Sequence, residues 1–151
     1  MKKTVKLLLL IIWMALIFFF SAQPDVQSEE TSNLAAEIIY RIYAFLMANN
    51  VHIEQGEFML RFIQPIRKLA HFTEFMILGI LIFINMMEYT DRKIALKSFV
   101  LGTAYAVSDE IHQLFVKNRY CSISDMLIDS AGCLLGIIIC HLIYERWKKE
   151  H

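Results

Sequence analysis

Proline and glycine are scarce in this chain, with two prolines and five glycines among 151 residues. That excludes a collagen-like, linker-like or low-complexity protein. Net charge is absent as well, since fifteen basic side chains face fifteen acidic ones. With no global basic field, nothing favours nucleic acid as a partner. The three cysteines, Cys121, Cys133 and Cys140, are an odd number and form no CxxC or Cys/His zinc spacing. The sequence therefore predicts neither a disulfide framework nor a cysteine-based metal site. There is no HExxH, Gly-x-Ser-x-Gly or P-loop.

Apolar residues are abundant, at 57% against 20% charged. They are gathered in runs, which points to a membrane protein rather than a soluble core. Leu7 to Phe20 is fourteen apolar residues in succession, preceded by Lys2, Lys3 and Lys6. Ser21-Ala22-Gln23 is a poor cleavage site, so an uncleaved anchor is expected over a cleaved signal. Four spans are expected, at about 4–22, 67–88, 94–115 and 124–144. The third is the weakest, diluted by Gly102, Thr103, Ala104, Ala106 and Ser108; alone it also fits a buried soluble helix. The expected fold is all-α: one domain over residues 1–151, an integral membrane four-helix bundle with no internal repeat, carrying an extracytoplasmic helical segment between its first two spans.

That segment, residues 24–65, is too long for a simple loop. Ser32 or Asn33 is suited to cap a helix from Leu34 to Met47, ended by Asn49-Asn50. Its Leu34, Ile38, Ile39, Ile42, Phe45 and Leu46 follow helical spacing. Glu54 to Gln64 reads as a second short helix, stopped or kinked at Pro65. The pair either packs on the bundle as a hairpin or lies on the outer leaflet as an amphipathic lid. With both termini inside, nine basic residues are cytoplasmic and six outside. Dense inner clusters form at Lys2/Lys3/Lys6 and at Arg92/Lys93/Lys97. Trp147 beside Lys148 and Lys149 suits an interfacial anchor.

Polar side chains within spans usually face the bundle interior. At ~100° per residue, Arg67, His71 and Glu74 share a sector of about 60°, with Lys68 beside it. Asp109 and Gln113 continue the face of Gly102 and Ala106, flanked by Glu110 and His112; Asp125 and Asp129 continue the face of Gly132 and Gly136. Small residues at four-residue spacing let helices approach closely. These two faces are therefore expected to form the seam between the third and fourth spans. The ionisable ends then meet at one outer membrane level. Plainer roles exist for each residue: Arg67 and Lys68 as snorkelling cations, His71 as a core histidine, Asp125 as an N-cap. Asp109 and Glu110 sit at a helix C-terminus, where the dipole disfavours acids, so cationic partners are expected among Arg119, Lys68 and Arg67. A purely structural ion-pair network is the alternative to a functional cluster.

Phe20-Ser21-Ala22-Gln23-Pro24, Lys68-x-x-His71, Ser108-Asp109-Glu110-Ile111-His112-Gln113-Leu114-Phe115, Arg119, Asp125 and Gly132 together resemble the VanZ-like family over nearly the whole chain. That family is named for a membrane protein linked to teicoplanin resistance. Its members often carry Asn where this chain has Asp129, and Pro-Gly before the arginine where it has Lys117-Asn118. The resemblance implies a multi-pass protein of the bacterial cytoplasmic membrane. It does not supply a reaction.

The candidate binding cluster is Arg67, Lys68, His71, Asp109, Glu110, Gln113, Arg119 and Asp125. Its cations suit an anionic group. The expected partner is a membrane-lipid or cell-wall-precursor headgroup, with a role in lowering glycopeptide access. The alternative is a membrane enzyme. His71 with Glu110 or Asp109 would be its acid/base pair, or His71, Glu74, Glu110, His112 and Asp125 would hold a metal. No cofactor is specified, and a homo-oligomer stays open. A transporter needs polar residues along a whole pathway, whereas these gather at one end.

Overall fold

The leucine-rich run at the start of the chain forms helix α1, Lys3–Ser21. The computed structural model describes residues 2–47, 53–87 and 93–150, apart from the side chains of residues 25–27 and 29. After α1 come α2 (Asp25–Leu46), α3 (Gln55–Met86), α4 (Ile94–Gln113) and α5 (Ile123–Glu150). Among the described residues all regular structure is helical. The expected helix end at Asn49-Asn50, the span end at Glu88 and the inner-cluster Arg92 lie outside the described residues.

Two boundaries differ from the sequence reading. Helix α2 starts directly after Pro24, whose φ of −55° is already helical in value. It therefore begins nine residues before the expected Leu34. Ser32 is not a cap; its hydroxyl donates to the Ser28 carbonyl at 2.9 Å, inside the helix. The expected short helix ending at Pro65 is the opening stretch of α3, which runs unbroken through that proline for 32 residues. A proline inside a helix costs about 3 kcal/mol. Ring packing in the turns before the proline offsets that cost. Phe58 sits 4.5 Å from Phe62, and 5.3 and 5.9 Å from Tyr40 and Tyr43 of α2. At ~1.5 Å per residue α3 is about 48 Å long, well beyond the ~30 Å of a bilayer's hydrocarbon.

Helix α3 is the hub, and all four other helices pack on it; α4 also packs on α5 and on α1. The core gathers Phe75, Leu78, Ile82 and Phe83 of α3 with Ile17, Ala106, Cys133 and Ile137. Helix α1 is tied in by three side chains that donate to backbone carbonyls. Asn85 reaches Lys6 O at 3.1 Å, Trp13 reaches Glu74 O at 2.9 Å, and Tyr105 reaches Met14 O at 2.7 Å.

The glycine seam also differs. Gly132 and Gly136 of α5 do not face α4. A Cβ on either would run into the backbone carbonyl of Phe72 or Met76 on α3. Gly79 of α3 lies against the Cys133 carbonyl in the same way, and Gly102 of α4 against the Cys133 thiol. The close approach is therefore α3 on α5, with Cys133 wedged between Gly79 and Gly102. All three cysteines are free thiols.

Three helices, α1, α3 and α5, are long and apolar enough to cross a membrane. Helix α4 falls short on composition because its inward side carries Ser98, Gly102, Asp109, Glu110 and Gln113, all buried. Its outward side is a stripe of exposed Leu96, Val100, Val107, Ile111 and Leu114. Large apolar side chains are exposed on all five helices, a surface suited to hydrocarbon.

Candidate functional site

Polar residues from four helices collect at one end of the bundle. There α1 and α4 finish, α5 begins, and α3 passes through its Gln64–His71 stretch. The turn from α4 to α5 makes this possible. Asn118 takes a left-handed backbone with φ of 61°, which Asn tolerates better than most residues and Gly best of all. The turn then delivers Ser122, whose hydroxyl accepts the Asp125 N–H at 3.3 Å. Ser122 is thus the N-cap of α5. Asp125, expected as that cap, sits one turn in and pairs with Lys68 at 3.1 Å.

The acids at the end of α4 have the expected Arg119 charge nearby, and neutral donors beside it. Asp109 Oδ2 accepts the Ser21 hydroxyl at 2.9 Å and the Gln113 amide at 3.3 Å. Glu110 Oε2 accepts the Ser122 backbone N–H at 2.8 Å. These donors are neutral, and a helix N-terminus carries partial positive charge that suits a carboxylate. Arg119 stands one step further out. It donates to the Gln23 carbonyl at 3.2 Å and to Gln113 Oε1 at 3.4 Å. Gln113 in turn donates to Ser21 at 3.1 Å. The end of α1, the end of α4 and the turn are therefore laced by one hydrogen-bonded chain.

Beside this chain opens a cavity of about 160 Å³. A single buried water needs only ~10–15 Å³ by the same kind of measure, so the space suits a small polar group. Arg67, Lys68, His71, Glu110, Gln113, Arg119 and Asp125 all line it, bringing together seven of the eight residues expected from sequence. Asp109 is the exception: it stands behind the wall, holding Gln113 and Ser21. Asp129, left outside the cluster by the sequence reading, lines the cavity. It is 1% exposed, and among the described residues neither of its carboxylate oxygens has a hydrogen-bond partner. Gln64, Asn118, Tyr120, Ser122 and Ser124 complete the polar lining and were not anticipated. Nor were Ser21 and Gln23 in the supporting network. Their signal was the Ser-x-Gln-Pro at the end of the first helix, which ends at the same level as the other clusters.

Of the residues weighed as metal ligands, His71, Glu110 and Asp125 line the cavity, whereas His112 and Glu74 stand apart from it. His112 stacks on Phe18 of α1 with ring centroids 4.3 Å apart. Glu74 lines a different, shallow groove beside Trp13. His71 Nδ1 lies 3.9 Å from Glu74 Oε2, too far for a hydrogen bond. Among the described residues no three His, Cys, Asp or Glu side chains are placed to hold a metal ion.

A sequence model of the VanZ/LLP1 family matches residues 6–144, which takes in nearly all of the five helices. No curated protein and no solved structure matches the chain.

Proposed function

The chain belongs to the VanZ-like family, and from that premise we propose a multi-pass membrane protein that binds the phosphate-bearing headgroup of a cell-envelope amphiphile in an outward-facing pocket. The observation that carries this reading is the pocket lining, in which Arg67, Lys68 and Arg119 come from two distant parts of the chain to one cavity. Guanidinium and ammonium groups recognise phosphate by charge-assisted hydrogen bonds. The Lys68–Asp125 pair is open to exchange, because both side chains are more than a third exposed, at 45% and 37%. Pairs of that kind contribute only about 0–1 kcal/mol. A protein that occupies cell-wall-precursor headgroups at the outer face would lower glycopeptide access there, which is the resistance role we propose.

The placement goes with a topology of four spans and two cytoplasmic termini. The apolar outward stripe of α4 suits lipid along its length, and its low hydropathy comes from residues turned inward. The basic clusters then fall on the cytoplasmic side. The exposed apolar face of α2, Leu34, Ile38, Ile42 and Phe45, suits the outer leaflet. A reporter fused after His151 should be cytoplasmic, and the half-buried Cys121 should react with an impermeant thiol reagent added outside, while buried Cys133 should not. A surface-exposed C-terminus would overturn the topology.

Binding is tested with phosphatidylglycerol and a polyprenyl phosphate on the purified protein, by native mass spectrometry and by ligand-induced shifts in melting. Lys68→Ala and Arg119→Gln should each weaken phosphate-lipid binding about tenfold, the loss of one charged hydrogen bond. Lys68→Ala should melt close to the parent. Unchanged binding in both variants would remove the pocket from consideration.

A further inference from the structure

We infer that the pocket is built for a zwitterionic aminoalkyl phosphate, with its phosphate on the basic residues and its protonated amine against Asp129. This rests on the headgroup reading above and narrows its ligand class. Two independent observations lead to it.

The first is the formal charge of the lining. Three cations, Arg67, Lys68 and Arg119, face three carboxylates, Glu110, Asp125 and Asp129. A simple anion entering this space gains three attractions and meets three repulsions. A ligand carrying both signs converts both sets into attractions. The second is how these acids are already engaged. Asp125 pairs with Lys68, and Glu110 accepts the Ser122 N–H. Asp129 is different: it is 1% exposed, it lines the cavity, and neither oxygen has a hydrogen-bond partner among the described residues. Buried carboxylates of this kind are normally paired or hydrogen-bonded. An ionised carboxylate is acceptor-only, so its complement is a group rich in N–H or O–H donors.

Depth orders the two ends of the ligand. Lys68 is 45% exposed, whereas Asp129 and Glu110 are buried at 1% and 2%. The phosphate therefore sits near the mouth and the amine reaches inward. A primary ammonium supplies three donors, whereas a quaternary ammonium supplies none. A glycerol head supplies hydroxyls without a positive charge. The site should rank these headgroups in that order of donor charge.

The experiment compares dioleoyl lipids with phosphoethanolamine, phosphocholine and phosphoglycerol heads on the full chain, together with free O-phosphoethanolamine. Affinity is read by native mass spectrometry and by melting shifts, since a ligand that binds only the folded state raises its stability. The phosphoethanolamine lipid should bind at least tenfold tighter than the other two lipids. Asp129→Asn should erase that preference. If the free compound also binds, the source is a soluble zwitterion; if only the lipid binds, the source is the membrane. Either result supports the assignment. Equal or tighter binding of the phosphoglycerol lipid to the parent protein overturns this inference and leaves the headgroup reading standing. So does a preference that survives Asp129→Asn. If no phosphate lipid binds at all, both fall. The comparison of lipids on the parent protein decides the matter even if the Asp129 variant does not fold.

Discussion

Gly132→Ala and Gly136→Ala should each destabilise the protein by about 1–3 kcal/mol, the usual cost of forcing extra volume into a packed interior. The corresponding leucine variants should not fold. The reason is backbone contact. The added Cβ would meet the carbonyl of Phe72 in the first case and of Met76 in the second. A flexible side chain could turn aside, but a helix carbonyl cannot, so α3 and α5 must separate along their length. In a membrane the loss is not restored by the hydrophobic effect, because lipid is as apolar as the helix face; close van der Waals packing is what holds such helices together. Gly56→Ala is the internal control. Nothing lies within 4 Å of its added Cβ, and replacing a helical glycine by alanine gains up to about 1 kcal/mol. Melting in detergent should therefore fall for the first two variants and hold or rise for the third. Parent-like melting of both Gly132→Ala and Gly136→Ala would show that α5 does not rest on α3 through these residues.

The same seam marks where sequence reasoning reached its limit. Periodicity alone identified Gly132, Gly136, Gly102 and Ala106 as close-packing faces, because small residues four apart fall on one side of a helix. It could not say which helix each face meets. Gly79, hidden inside an apolar run with no polar neighbour to orient it, gave no signal, yet it lies against Cys133 in the centre of the bundle. At the polar end the reverse held. Charged residues are costly in apolar helices, so their sequence positions were informative, and most of them line one cavity. Their partners were less legible. Charge logic asked for a cation near Asp109 and Glu110, and Arg119 is one; the hydrogen bonds themselves come from Ser21, Gln113 and the N–H of the α5 cap, Ser122. Neutral donors leave no mark in a charge pattern. Pro65 misled for a similar reason. A local penalty was legible, but not the Tyr40, Tyr43 and Phe58 packing that outweighs it.

Asp109→Ala should be among the most damaging single changes at the polar end, while Asp109→Asn should melt close to the parent. Asp109 Oδ2 is the acceptor for both the Ser21 hydroxyl and the Gln113 amide. Deleting it leaves two buried donors unsatisfied, at about 1–3 kcal/mol each. It also loosens Gln113, which carries the contact to Arg119. Asparagine keeps one oxygen in the accepting position and removes a buried charge. Its amide replaces Oδ1, which is buried with no hydrogen-bond partner among the described residues, so the cost of stranding the amide there is set against the relief of the buried charge. Ser21→Ala removes one of the stranded donors and also the acceptor of a Gln113 N–H, so the two positions should be non-additive; a double-mutant cycle measures that coupling. The comparison with the cavity-lining acids then separates support from recognition. Glu110→Gln retains an oxygen for the Ser122 N–H and should melt near the parent, yet it changes the charge of the lining. Asp109→Asn changes a charge behind the lining and should leave phosphate-lipid binding intact. If Asp109→Asn melts normally but no longer binds, Asp109 acts on the ligand itself rather than through Gln113. If Asp109→Ala melts as the parent does, the hydrogen-bonded chain from Ser21 to Arg119 does not hold this end of the bundle together.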